Sequence, residues 1–139
     1  MTLSVLPKGR SYQLSSNFES TEFDCPCINR ECVFTYIDLD LITKLQSLRD
    51  IVRVPLFINS GFRCTKHQLD LKERGHQTAS LVSSHEHGMA ADIFTIKHTG
   101  LELEEMARDL GFKAVGVGES WIHVDLRRDK HRRWEYHRA

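Results

Sequence analysis

Hydrophobic positions along the chain follow helical spacing in some stretches and strand spacing in others. From Asp40 the spacing is helical. Leu41, Ile42, Leu45, Leu48 and Ile51 share one face, Asp40 is placed to cap the first turn, and Pro55 to end the helix. Leu56, Phe57 and Ile58 then read as a short strand, broken by Ser60 and Gly61. Thr65 to Arg74 predicts a second helix closed by Gly75, and residues 76–84 a loop. Met89 to Thr95 has strand character. Thr99 and Glu102 form a capping-box pair ahead of Leu103, Met106, Ala107 and Leu110, with Gly111 as the stop. Two strands, Ala114 to Val117 and Trp121 to Leu126, flank Gly118, Glu119 and Ser120, and Arg132 to Tyr136 predicts a last strand. Residues 1–20 are polar and weakly patterned, an arm laid over the rest. Helices and mostly hairpin-linked strands in this order predict an α+β fold.

A length of 139 residues fits one domain, expected to span residues 1–139. With 40% hydrophobic and 27% charged residues, the chain falls in the globular range and outside the disordered and fibrous ones. Lys and Arg total 19 and Asp and Glu total 19, so the bulk charge provides no grip on nucleic acid or anionic lipid. The apolar runs are too short to span a bilayer. The start, MTLSVLPKGR, lacks the charged and apolar regions of a secretory leader, so none is expected. What remains is a compact enzymatic or binding domain with eight histidines.

Two stretches carry the chemistry. In the first, His85 and Asp92 stand seven positions apart with Gly88 and Ala90 between them, so a loop followed by a strand can bring both to one point. Gly88 permits a tight turn, and Ala90 leaves room beside a metal. In the second, strand alternation puts Trp121, His123 and Asp125 on one face and Ile122, Val124 and Leu126 on the other. The apolar face belongs to the core and the polar face lines a cleft. Two histidines and an aspartate suit zinc with the fourth position open. Zinc brings the pKa of a coordinated water toward ~7 and polarises a carbonyl. A carboxylate must then take the proton, and Glu119, just before the His123 strand, is placed to do so.

The combined pattern resembles the zinc D-Ala-D-Ala carboxypeptidase and dipeptidase family, which includes L-alanyl-D-glutamate endopeptidases and shares its fold with the hedgehog signalling domain. The closest likeness is to its small bacterial and phage branch. The signature Ser-x-His-x-x-Gly-x-Ala-x-Asp is matched by Ser83, His85, Gly88, Ala90 and Asp92. A later His-x-Asp is matched by His123 and Asp125. An upstream Ser-Gly-aromatic-Arg is matched by Ser60, Gly61, Phe62 and Arg63, followed by Cys64 and His67. The likeness spans residues 17–136. It implies a single α+β domain whose antiparallel sheet has helices packed on one side. It implies His85, Asp92 and His123 as ligands of one zinc ion. Arg63 would hold a substrate carboxylate or the developing oxyanion. Asp125 and Ser83 would support the ligands by hydrogen bonds. The family's usual base lies three positions before the last histidine, where this chain has Ser120; its acid, Glu119, is four before, as in many small relatives.

Cys25, Cys27, Cys32 and Cys64 are a separate feature. Four thiolates could hold a second, structural zinc, form two disulfides, or remain free buried thiols. The expected activity is that of a zinc peptidase, carboxypeptidase or endopeptidase, acting on peptidoglycan stem peptides or related D-amino-acid peptides. The rival expectation is a non-catalytic zinc-binding module of structural or cell-wall-binding type. A zinc-finger-like nucleic-acid binder is disfavoured by the neutral charge. The protein is expected to be a monomer without membrane insertion. It would be made in the cytoplasm of a bacterium or phage-infected cell and act at the wall or on muropeptides.

Overall fold

The structure, a computed structural model, describes residues 2–75, 84–127 and 132–136. Its first element departs from the expected arm. β1 (Leu3–Pro7) pairs antiparallel with β2 (Phe34–Asp38), Leu3 opposite Asp38 and Pro7 opposite Phe34. Neither strand stood out in the pattern because the usual alternation is inverted. Leu3, Val5, Phe34 and Tyr36 face outward, while Thr35 and Ile37 are buried.

Helix α1 (Leu39–Val52) follows β2 directly. Its cap is Asp38 rather than Asp40: the Asp38 carboxylate accepts from the Asp40 backbone N–H at 2.9 Å. Asp40 sits in the first turn, where a negative charge favours the helix dipole. The buried stripe is Leu41, Ile42, Leu45, Leu48 and Val52. Ile51, expected on that face, is 48% exposed and Val52 only 3%, because the 3.6-residue period carries the stripe from Leu48 to Val52. Arg53 closes the helix in the left-handed conformation (φ 60°), ahead of Pro55.

The remaining elements lie close to their expected positions. They are β3 (Phe57–Ser60), α2 (Thr65–Glu73), β4 (Ala90–Phe94), α3 (Gly100–Asp109), β5 (Ala114–Val117), β6 (Trp121–Asp125) and β7 (Arg132–Glu135). Thr99 and Glu102 make the reciprocal capping box at the start of α3. The five strands form one sheet in the order β3-β4-β6-β5-β7. The sheet is antiparallel except at its edge, where β7 runs parallel to β5. Both sides of β6 are already occupied by β4 and β5, so the chain crosses to the free edge of β5 instead of making another hairpin.

One face of this sheet is apolar. Ala91, Ile93, Val115, Ile122 and Val124 pack against Leu41, Leu45 and Leu48 of α1 and Leu103 and Ala107 of α3. Each fully buried Leu or Ile contributes about 1.5–3 kcal/mol, which anchors α1 and α3 over the sheet. Helix α2 makes its tie elsewhere, through Gln68 to Arg63. Strand register fixes what the opposite face presents. Asp92 stands directly across from His123, Ala90 across from Asp125, and Gly116 of β5 lies on the other side of His123. Among the described residues, no helix is long and apolar enough to cross a membrane.

Candidate metal centre

His85 reaches this face from a short 3-10 helix (Ser84–His87) that runs into β4 through Gly88. Gly88 has φ +68°, and a Cβ there would collide with the Tyr36 carbonyl. The turn that delivers His85 therefore requires glycine, on conformational and steric grounds together. Asp92 and His123 come from paired positions of β4 and β6.

The three side chains converge. His123 Nδ1 lies 2.9 Å from Asp92 Oδ1, His85 Nε2 lies 3.3 Å from the same oxygen, and the two ring nitrogens are 3.2 Å apart. All three residues are buried, at 2%, 4% and 6% exposure for His85, Asp92 and His123. Donors ~2.0–2.1 Å from a tetrahedral zinc stand about 3.3 Å from each other, so the set has the right span for zinc.

Neighbouring groups orient each donor. His85 Nδ1 lies 2.6 Å from the Gly61 carbonyl, which can only accept. Its proton is therefore on Nδ1, and the Nε2 lone pair faces the centre. His123 Nε2 lies 2.8 Å from Asp125 Oδ2; with the ring proton held there, the Nδ1 lone pair is the one that a metal at the centre would take. Arg127 fixes Asp125 in turn: its Nε lies 3.2 Å from Oδ2, and its backbone N–H donates to Oδ1 at 3.0 Å. Two imidazole nitrogens and a carboxylate oxygen thus face one another, a donor set that suits a cation.

The electrostatics agree. Burial holds the His85 imidazole below its ordinary pKa, against the pull of Asp92. Burial also opposes charge on His123, but Asp125 and Asp92 outweigh it and raise its pKa. Burial works to raise the Asp92 carboxyl, and the imidazoles of His123 and His85 overcome it and hold the group below the usual carboxylate range. Asp125 is lowered in the same way, against burial, mainly by His123. A positive charge at His123 Nδ1, proton or metal, is what these groups favour.

Arg63 is drawn into the centre, but as a buried group. Its Nη2 donates to Asp92 Oδ2 at 3.2 Å, its Nη1 to Gln68 Oε1 at 3.2 Å and its Nε to Ser60 Oγ at 3.0 Å. It clamps Asp92 directly. Glu119 is placed apart. It is exposed on the turn between β5 and β6 and lines an open cavity with Thr99, Leu101, Val117, Gly118, Glu135 and Tyr136. Ser83 lies outside the described residues.

An aromatic wall stands beside the centre, built from Trp121, expected on this face, and from Trp134 and Tyr136, which were not. The Trp134 ring is 5.3 Å from that of His123, and Tyr136 stacks on Trp121 at 4.6 Å. Trp134 reaches His123 across Gly116, where any Cβ would strike the indole. Burial pushes the Tyr136 phenol up to about 12, so it is neutral at physiological pH. The signal in the sequence was the lone Gly116 in a strand, which marks a close approach. Cys25, Cys27, Cys32 and Cys64 also gather, as a second cluster on separate segments.

A sequence model described as Peptidase M15 matches residues 16–125. No curated protein matches the chain.

Proposed function

Since the chain belongs to the peptidase M15 family, we propose that it is a zinc-dependent peptidase with His85, Asp92 and His123 as its metal ligands. The observation that carries this reading is the convergence of three lone-pair donors at zinc spacing, each oriented by its own partner. Zinc bound there would polarise a peptide carbonyl and make a water acidic enough to attack it. With zinc in place, Glu119 would be the residue to accept the proton of the attacking water and return it to the leaving amine. Gly61 and Asp125 keep the imidazoles in the donor tautomer, and Arg63 holds Asp92 while adding positive charge near the developing oxyanion.

A peptide substrate follows from the family. The finer reading is peptidoglycan stem peptides or related D-amino-acid peptides, supported by the signature from Ser60 to Arg63 and from His85 to Asp92. In this reading the chain works as one monomeric domain at the cell wall or on muropeptides. Digestion of purified peptidoglycan, followed by mass analysis of the fragments, tests it. Wild-type protein should release fragments of defined mass, and His123→Ala should release none and lose its centre's zinc. A wild-type protein that cleaves nothing across a panel of stem peptides would leave the non-catalytic wall-binding reading in its place.

Arg63 gives a sharper test. Lysine retains the positive charge but cannot donate to Ser60, Gln68 and Asp92 together. Arg63→Lys should keep zinc and fold while turnover falls by about 10²-fold. Near-normal kinetics would show that the guanidinium serves only to hold Asp92.

A further inference from the structure

The second cluster is independent of the chemistry above. Cys25, Cys27 and Cys32 lie in residues 24–33, which contain no helix or strand, and Cys64 lies directly after Arg63. All four sulfurs fall within 4.8 Å of one another. Cys64 Sγ is 3.8 Å from Cys25 Sγ and 3.7 Å from Cys27 Sγ. Sulfurs ~2.3 Å from a tetrahedral zinc stand about 3.8 Å apart, so these separations are those of a zinc tetrathiolate. Near-equal spacing also argues against two disulfides. Each of those would bring one pair to ~2.05 Å, and here Cys64 favours neither neighbour.

The groups around the sulfurs are the kind that stabilise thiolates. The Cys64 N–H donates to Cys25 Sγ and the His67 N–H to Cys64 Sγ, each at 3.4 Å. The Lys8 ammonium lies 3.7 Å from Cys27 Sγ and 3.6 Å from Cys32 Sγ, and donates to the Cys27 carbonyl at 3.0 Å. Four thiolates on a dication leave a net charge of minus two, and Lys8 offsets part of it.

We propose that Cys25, Cys27, Cys32 and Cys64 bind a second zinc ion whose role is structural. It fastens the irregular segment 24–33 to the segment that builds the catalytic centre. Cys64 caps α2, Arg63 beside it holds Asp92, and Gly61 orients His85. Phe62 is hydrogen-bonded to Phe23 just before the cysteine-bearing segment, at 2.9 Å. Metal binding at the cysteines is thereby linked to folding and to the geometry of the ligand set.

The test uses the whole chain and cobalt(II) as the probe. Elemental analysis of the wild type should find two zinc equivalents, with one remaining in His123→Ala. Replacing zinc by cobalt should give a sulfur-to-cobalt charge-transfer band in the near ultraviolet, present in the wild type and in His123→Ala. Cys64→Ser should lose that band, melt at lower temperature and turn over more slowly. Absence of the band in the wild type would overturn the proposal, as would iron in place of zinc or a mass showing two disulfides. The His123→Ala measurement separates this site from the catalytic reading: failure of peptide cleavage would leave the cobalt–thiolate band untouched.

Discussion

Asp92→Ala should produce a protein without zinc in its centre, without peptidase activity, and with a marked loss of stability. The three losses share one origin. Asp92 Oδ1 faces both imidazoles at 2.9 and 3.3 Å, and Oδ2 accepts from Arg63 at 3.2 Å. Arg63 and Asp92 are both buried, so truncating the aspartate strands a guanidinium away from water. Removing one partner of a buried pair costs about 3–5 kcal/mol. For a domain of this size that lowers the melting midpoint by roughly 10–20 °C. A second variant separates stability from chemistry. Arg63→Met together with Asp92→Ala removes both charges, and should recover much of the melting temperature while remaining zinc-free at the centre and inactive. Thermal melting and zinc content, read on both proteins, check this. An Asp92→Ala protein that keeps its zinc and its melting temperature would remove Asp92 from the ligand set.

The parts of this centre legible in the sequence were those set by local spacing. Strand alternation put His123 and Asp125 on one face, and the short path from His85 through Gly88 to Asp92 brought the other two candidate donors together. Helix α1 was legible from its apolar stripe, but its cap was not, because Asp38 and Asp40 are chemically equivalent and only backbone geometry decides which one accepts the N–H. The β1–β2 pair was hidden because its large apolar residues face outward. Other contributions are long-range and leave no periodic trace. Gln68 bonds to Arg63 across a helix start, Arg127 folds back on Asp125, and Trp134 meets His123 only because β7 crosses to the far edge of β5. The cysteines were visible as residues, but their convergence depends on bringing Cys64 beside a segment that ends about 30 positions earlier.

Glu119→Gln should retain metal and fold while cutting peptide hydrolysis by on the order of 10²–10⁴-fold, the usual worth of general acid–base catalysis. The case for Glu119 rests on its exposure and on its place in the turn just before the His123 strand. Asp92 is committed to Arg63 and the two imidazoles. Asp125 is fully buried, with Oδ2 between His123 and Arg127 and Oδ1 bonded to the Arg127 backbone. Its lowered pKa, set against burial mainly by His123, also makes it a weak proton acceptor. Glu119 stands exposed on the turn leading into β6, in reach of water, and lines an open cavity together with Tyr136. Asp125→Asn keeps the shape but leaves His123 without its carboxylate partner, so it should weaken zinc affinity by about 10–100-fold and lower activity through the metal. The two variants therefore separate by zinc content: Glu119→Gln is slow with zinc bound, and Asp125→Asn recovers turnover as zinc is added. Side-by-side turnover against zinc concentration reads both. A Glu119→Gln protein that cleaves stem peptide at the wild-type rate, beside an Asp125→Asn protein that is inactive with zinc fully bound, would move the base to Asp125.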